Sequence, residues 1–539
     1  MGLFITGEFL PYEVTAEQWA SVYAEALKLV DAYAFLDYIV DSERFREYDI
    51  VWCYGERTRE RDVDGHRGIY ICGAYDGCIS AEEQFLSRDL GYYFNTMHGI
   101  KPEPKDNLCH DALAAVLQDR CDYEELKKYN DFQRTVFGNK TQGYDHHNYL
   151  LAIALLLEDR LGRAFTVHGD ISRGQIKKAV EWANTHLDRP IAMPCRTDNA
   201  RLLERLSAFV SRKILIMAFM ELTYSPEDEA LGAFLDAHFS KEEILEYWAN
   251  EVSDCVPGTL GAADFFKKYF NMSADLKLLT KICASKFNAG EFAKQLAGSR
   301  IFDREKDTSD PAAINASDSN SELSETTETI VGKFFFRGLR NSAVKRYIAL
   351  EQGIEDLKEA FKDTGFGDTD IDVESVLKNA IKDEISRTEK LAEDLKIFKQ
   401  FSVAVTEKSE SVDIYHAEDL VFYESGDTID DKLKRDLKGI RKFVDAHMKE
   451  TVSSYSKIYS KYRAKKDEKL IRMTLTVKCC EKLLPKSVWD LFEQNIKDDK
   501  FFFTLLTLLS IKSDTLPASY YVKALLCNPL LFEQVFRHK

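Results

Sequence analysis

One segment of the chain is too polar to form a core, and it limits how the remaining residues can fold. Residues 302–329 read FDREKDTSDPAAINASDSNSELSETTET and contain eight acidic and two basic residues. Such a composition buries too little apolar surface to offset the entropy lost when the chain becomes ordered. We therefore expect a disordered acidic linker at 302–329 that separates an N-terminal part from a C-terminal part.

The apolar periodicity on the two sides of this linker predicts a mainly α fold. A chain of 539 residues exceeds what one hydrophobic core usually serves, so several domains are expected. Residues 1–197 should form an α+β domain in which a small sheet is embedded in helices, and 198–301 should form a helical array. Residues 330–539 should form a helical bundle with two long helices, at 373–401 and 430–463.

Helix and strand signals alternate in the N-terminal part. Thr15 and Gln18 form a capping box, and the apolar spacing of the helix that follows continues to Asp41. The runs 48–55 and 68–77 are typical of strands, and the arginine-bearing stretch between them suits a hairpin loop. Farther along, a helix, a strand and a second helix are predicted at 148–162, 163–169 and 175–187, which together form a small α/β element.

Composition and charge narrow the class of function. The net charge of −17 and the pI near 5.3 disfavour binding to nucleic acid and to anionic membranes. The longest apolar runs, 213–220 and 501–511, are about half the length of a membrane-spanning helix, so no membrane span is expected. The cysteines are scattered and none forms a CxxC pair, which favours reduced thiols and a cytoplasmic location.

The stretch FTVHGDISRGQ, 165–175, is the first candidate site. Ser172 and Gln175 form a second capping box, and Gly169 allows a sharp turn after the strand. This structural explanation also covers Asp170, which suits the positive N-terminus of a helix, and it leaves His168 and Arg173 unexplained. The candidate catalytic residues are His168, Asp170 and Arg173. The stretch contains neither of the glycine-rich motifs that bind phosphate, so no cofactor is predicted for it.

The stretch GYDHHNY, 143–149, is the second candidate site. Asp145, His146 and His147 resemble the DHH signature of phosphoesterases that bind manganese, and this resemblance implies a divalent metal held by these three residues. That family also carries a separate aspartate pair and a glycine-rich histidine motif, and this sequence contains neither. The alternative, which the local pattern favours, is that Asp145 caps a helix and the histidines lie in its first turn.

Two further groups of residues suggest other sites. Cys109 and His98 could supply a thiol nucleophile and a base if the fold brought them together. The stretch WCYGERTRERDVDGHRG, 52–68, which contains Cys53, Arg57, Arg59, Arg61 and His66, could form an anion-binding loop, although a solvated hairpin tip is the simpler interpretation.

These observations leave two functions from different classes. The favoured hypothesis is a non-catalytic intracellular protein that binds another protein, with a basic partner favoured by charge; an immunity-type neutraliser or a component of a defence or regulatory assembly fits this description. The alternative is a phosphoesterase-like, metal-dependent hydrolase whose site combines His146, His147, His168 and Asp170, with a divalent metal as its cofactor. A third hypothesis makes the C-terminal bundle an oligomerisation module.

Overall fold

A computed structural model of the protein describes most of the chain. The described residues are 3–45, 48–94, 110–120, 133–273, 275–299, 301–302, 346–362, 366, 372–383, 386, 413–414, 416–463, 471, 474–475, 483–511 and 516–536. The expected linker lies outside the described residues except for Phe302, and so does most of the part of the first long C-terminal helix that follows residue 383.

The elements are numbered here in chain order. The strands are β1 (Phe4–Phe9), β2 (Phe35–Phe45), β3 (Tyr48–Arg57), β4 (Glu60–Val63), β5 (His66–Ala74), β6 (Ile79–Ser87), β7 (Arg134–Lys140), β8 (Phe165–Gly169), β9 (Asp413–Ile414) and β10 (Thr428–Ile429). The helices are α1 (Ala16–Ala32), α2 (Leu113–Arg120), α3 (His146–Leu161), α4 (Arg173–Asn184), α5 (Asn199–Ser207), α6 (Arg212–Leu222), α7 (Glu229–His238), α8 (Lys241–Ser253), α9 (Leu260–Met272), α10 (Leu276–Cys283), α11 (Ala289–Gly298), α12 (Leu350–Lys362), α13 (Asp431–Arg463), α14 (Lys486–Asn495), α15 (Asp499–Ser510), α16 (Leu516–Cys527) and α17 (Pro529–Phe536).

Strand β1 is the centre of a three-stranded antiparallel sheet with the order β7-β1-β8. Ile5 and Phe9 of β1 are fully buried, and they belong to one core with Phe165 and Val167 of β8. Helix α3 crosses this core, and its residues 150–157 are all buried. A helix that is apolar on every side is expected where neighbours enclose it, and here β8, α1 and α4 pack around α3.

A second antiparallel sheet contains β2 to β6. Strands β2 and β4 pair with successive parts of one edge of β5, and β6 pairs with the other edge. Gln84 of β6, which is 1% exposed, joins the two sheets. Its Nε2 donates to the carbonyl of Asn139 (2.7 Å), and its Oε1 accepts from the backbone N–H of Gly138 (3.2 Å).

Helices α5 to α12 share a second core, in which Trp248, Phe266 and Phe292 are almost fully buried. Asp228 and Ser240 cap α7 and α8, because both side chains accept hydrogen bonds from the first turns that follow them. Leu113 and Leu117 of α2 also belong to this core, while α2 contacts β1 and β8 as well. Helix α2 therefore lies between the three-stranded sheet and the helical array.

The described C-terminal helices do not all belong to one body. Helix α12 and the helical segment 373–383 pack into the core of the array. Helices α13 to α17 share a third core, and this core meets the second sheet, where the backbone N–H of Gly55 donates to the carbonyl of Leu484 (2.8 Å). No helix within the described ranges combines the length and the apolar character needed to cross a bilayer.

The predicted fold class is wrong as it was stated. The N-terminal region carries two antiparallel sheets rather than one small sheet embedded in helices, and the corrected description is a mainly helical chain with these two sheets in its N-terminal region. The apolar spacing after Thr15 was also overextended, since α1 ends at Ala32 and Phe35 begins β2. The run FLDYIV fits a strand as well as a helix, because four of its six residues, Phe, Tyr, Ile and Val, are aromatic or β-branched. Part of the expected hairpin loop is strand β4, which pairs with β5.

A buried ion pair holds the junction between the sheets and the array. Arg205 of α5 donates to both carboxylate oxygens of Asp111 (2.8 Å each), and the two side chains are 11% and 5% exposed. Beside this pair, Arg196 is 2% exposed and donates to the carbonyls of Val167 (2.9 Å) and Leu222 (2.7 Å). These guanidinium groups therefore connect β8 and the segment that leads into α2 with the first helices of the array.

We expect Asp111→Ala to destabilise the protein by about 3–5 kcal/mol, because it leaves the buried Arg205 guanidinium without its carboxylate. The midpoint of the first urea unfolding transition measures this loss. Asp188→Ala is the matched control, since Asp188 forms an exposed ion pair with Lys28 (2.5 Å) and should change the midpoint very little. Equal midpoints for the two variants would contradict the role of the Asp111–Arg205 ion pair in holding this junction.

Candidate functional site

His168 lies on β8 and is held by a buried carboxylate. Its Nε2 lies 3.0 Å from Oε1 of Glu8, and the two side chains are 12% and 3% exposed. The side-chain amide of Gln133 donates to the other carboxylate oxygen of Glu8. Glu8 and Gln133 lie far from His168 in the sequence, and no local pattern marks them, so sequence reasoning missed both.

Asp170 closes the edge of the three-stranded sheet. Its carboxylate accepts from the backbone N–H of Phe4 (3.0 Å), and its own N–H donates to the carbonyl of Phe4 (3.0 Å). Gly169 has a φ of +130°, and an added Cβ would lie 2.5 Å from that same carbonyl oxygen, so this close approach requires glycine.

The capping box of Ser172 and Gln175 is confirmed. Arg173 is exposed in the first turn of α4. The stretch FTVHGDISRGQ is therefore a capped strand-to-helix turn in which His168 and Asp170 both bond to β1.

The two adjacent histidines begin α3, and both are completely buried. Nδ1 of His147 lies 2.6 Å from the hydroxyl of Thr141, whereas neither ring nitrogen of His146 has a hydrogen-bond partner among the described residues. The capping role expected for Asp145 is wrong, because Asp145 precedes the helix but its side chain caps no backbone N–H.

Burial keeps both histidines neutral. Desolvation, together with the neighbouring His147, lowers the pKa of His146 to about 3. Desolvation also lowers the pKa of His147 to about 4, although the nearby backbone of Asp170 opposes this shift. Of the four residues that the hydrolase hypothesis combines, His147 therefore lies near the backbone of Asp170, whereas His168 is hydrogen-bonded to Glu8.

The described residues contain no group of three or more histidine, cysteine or acidic side chains arranged to hold a metal ion. The three candidate metal ligands, Asp145, His146 and His147, are adjacent in the sequence. Both imidazoles are buried, however, and the Asp145 carboxylate belongs to no cluster of metal-binding side chains among the described residues.

A row of half-buried aromatic rings crosses the surface beside Asp145. Tyr33 stacks on Tyr149 with ring centroids 3.7 Å apart, and Tyr149 meets Trp182 edge to face at 4.9 Å. The three rings come from the end of α1, from α3 and from α4, and each packs against the N-terminal core while remaining partly exposed. We call Tyr33, Tyr149 and Trp182 the aromatic row.

Two carboxylates act on the aromatic row. Burial raises the pKa of the Tyr33 hydroxyl, and the negative charges of Asp145 and Asp76 raise it further. Desolvation also raises the pKa of Asp145. Within the described part of the chain, the Asp145 carboxylate forms no ion pair and caps no helix. Asp145 is thus a partly buried acid beside the partly exposed aromatic row.

The further candidate groups do not assemble into sites. Arg61 pairs with the buried Asp37 (2.7 Å), Arg59 pairs with Glu56, and Arg57 donates to the carbonyl of Asp31 (3.0 Å). Two of the three arginines between residues 57 and 61 are therefore already paired with acids. Cys109 and His98 lie outside the described residues.

Comparisons of this chain with protein-family models, with curated proteins and with solved structures found no match.

We expect His146→Leu to raise the free energy of unfolding at pH 7 by about 1 kcal/mol, since it removes buried ring nitrogens that have no partner. The same substitution should make the free energy of unfolding depend less on pH below neutrality. The pKa of His146 in the folded protein lies below its value of about 6.5 in the unfolded chain. The stability of the parent is therefore fully present above pH 6.5, and this histidine reduces it as the pH falls toward 3. Each such histidine adds up to about 1.4 kcal/mol per pH unit to the slope of the free energy of unfolding against pH.

Urea titrations between pH 7 and pH 4 measure this slope. The exposed His186→Leu is the control, and it should retain the slope of the parent. A slope in His146→Leu that equals the parent's would mean that His146 is protonated in the folded protein.

Proposed function

We propose that this protein is a non-catalytic binding protein that recognises a basic segment of another protein through the aromatic row and the carboxylates of Asp145 and Asp76. In this proposal a lysine or arginine side chain of the partner packs against the exposed parts of these rings, and its cationic head reaches the two acids. Neutralisation of a basic toxin, or assembly of a cytoplasmic defence or regulatory complex, is the kind of role such a surface suits.

The carboxylate of Asp145 is the observation that carries this proposal. Desolvating a carboxylate is costly unless a cation or hydrogen-bond donors compensate, and the raised pKa of Asp145 expresses that cost. The side chain does not cap α3, which is the structural use that its position offers. A cationic group from a partner would supply the missing compensation.

The aromatic row supports the same conclusion. Tyrosine and tryptophan are enriched at the energetic centres of protein interfaces, since they provide large rigid surfaces at low cost in conformational entropy. Their ring faces also attract cations, with arginine the commonest partner. Half-buried rings that are fixed by stacking are already ordered before binding, so little further entropy is lost when a partner arrives.

Net charge acts in the same direction at longer range. A chain that carries −17 at neutral pH attracts a basic partner and repels acidic ones, which raises the rate of productive encounters.

The hydrolase alternative remains a proposal with its own requirement. A divalent ion would have to replace the contact of His168 with Glu8 and that of Asp170 with the backbone of Phe4. It would also have to reach imidazoles that are 0% exposed.

We expect Asp145→Asn and Tyr149→Leu each to weaken binding of a fluorescein-labelled Gly-Arg repeat peptide by about tenfold, equal to about 1.4 kcal/mol, in an anisotropy titration. The first variant removes a charge and keeps the shape of the side chain, and the second keeps apolar volume and removes a ring. Asp236→Asn is the control, because Asp236 is an exposed acid on α7. Equal affinities for all four proteins would show that the peptide binds elsewhere.

Metal analysis separates the two functions. We expect protein purified without chelator to contain far less than one divalent ion per chain, and the double variant His146→Ala/His147→Ala to contain the same amount. A near-stoichiometric ion that is lost in a folded double variant would favour the hydrolase. Sedimentation velocity over a range of concentrations tests the predicted oligomerisation through the C-terminal helices.

A further inference from the structure

Two cysteines meet where the third core packs against the second sheet. Cys78 is 5% exposed and forms a small cluster with Leu36 and Cys72, and Cys527 packs against this cluster from the end of α16. The two thiols interact side chain to side chain, and both are free. Most of the chain separates them in sequence, so the fold alone brings them together.

Backbone contacts hold the two sides of this thiol pair in place. The N–H of Gly55 donates to the carbonyl of Leu484 (2.8 Å), and an added Cβ on Gly55 would lie 3.3 Å from Sγ of Cys78. On the other side, the side-chain amide of Asn528 donates to the carbonyls of Val421 (3.0 Å) and Tyr423 (2.7 Å). The residue that follows Cys527 is therefore fixed.

Cys78 occupies an unusual backbone position for a cysteine. Its φ is +49°, in the left-handed region, and its N–H donates to the carbonyl of Tyr75 (2.9 Å) in the turn between β5 and β6. Glycine or asparagine would adopt this conformation at lower cost. The backbone of Cys78 is thus strained, and this conformation places its thiol beside that of Cys527.

A lysine accompanies the pair. Lys523 lies one helical turn before Cys527 and acts electrostatically on both sulfur atoms. Interaction with the Cys78 thiol lowers the pKa of Cys527, burial opposes this shift, and Lys523 lowers the pKa further. The same thiol interaction and burial raise the pKa of Cys78. These opposite directions favour Cys527 over Cys78 as the sulfur that reacts first.

We propose that Cys78 and Cys527 are an oxidation site, at which a hydroperoxide converts the thiol pair into a disulfide between the C-terminal helices and the second sheet. This proposal is independent of the function proposed above.

The chemistry balances with hydrogen peroxide as the oxidant. The Cys527 thiolate attacks one peroxide oxygen, the O–O bond breaks, and the leaving hydroxide takes up a proton to become water, which leaves a sulfenic acid on Cys527. The sulfur of Cys78 then attacks the sulfur of Cys527, the S–O bond breaks, and the hydroxyl leaves as a second water with the proton of Cys78. Two thiols and one peroxide give one disulfide and two waters.

Mass spectrometry of the full-length protein tests the proposal. After hydrogen peroxide treatment and digestion without reductant, we expect a peptide pair that joins Cys78 to Cys527 and is lighter by two hydrogen atoms than the separate reduced peptides. Since the bond closes a loop of most of the chain, the oxidised protein should migrate faster than the reduced protein on a denaturing gel without reductant. Both changes should reverse with dithiothreitol.

Variants identify the residues. Cys78→Ser and Cys527→Ser should each abolish the fast-migrating band, and the control Cys255→Ser, in the array, should retain it. Lys523→Met should slow formation of the band by about tenfold at neutral pH, because a smaller fraction of Cys527 is then thiolate. Oxidation of the parent that yields no Cys78–Cys527 peptide, or that joins Cys527 to Cys72 instead, would overturn the proposal. An unchanged rate in Lys523→Met would overturn the role of that lysine.

Discussion

The central position of β1 determines where the candidate site residues can lie. A strand with neighbours on both edges uses its N–H and carbonyl groups in pairing, and Phe4 pairs with both Lys140 of β7 and Asp170. Leu3, just before the strand, accepts from the N–H and the hydroxyl of Thr141 (2.8 and 3.0 Å). Thr141 in turn contacts His147. Both stretches that the sequence marked as candidates are therefore attached to β1, one along the strand through β8 and the other through Thr141 at its start.

This attachment explains why most of the candidate residues are committed to the structure. A buried polar group costs free energy unless it is paired, so His168, Glu8 and Asp170 satisfy one another or the backbone. His146 is the exception in the interior, and its lowered pKa is the consequence. Asp145 is the exception at the surface. Because the surface is where a partner can supply the missing interaction, Asp145 rather than the histidines carries the functional proposal.

The features that the sequence predicted correctly are local ones. The capping boxes at Thr15 and Ser172 are confirmed, since all the groups involved lie within one helical turn. The relation of Glu8 to His168 could not be predicted, because it depends on antiparallel pairing between strands at opposite ends of the N-terminal region. The same holds for β1 itself, whose short apolar alternation is too brief to distinguish a strand from a loop.

The proposed binding surface and the proposed oxidation site share one turn. Asp76 lies between Tyr75 and Cys78, and the N–H of Tyr75 donates to the carbonyl of Ala34 (2.8 Å), the residue after Tyr33. A disulfide at Cys78 would tie this turn to α16 and reduce its freedom to move. Asp76 would then be held more rigidly relative to Tyr33, and a more ordered surface loses less entropy on binding. If both proposals hold, oxidation at the junction with the C-terminal helices would therefore favour binding at the aromatic row, through the backbone of a single turn.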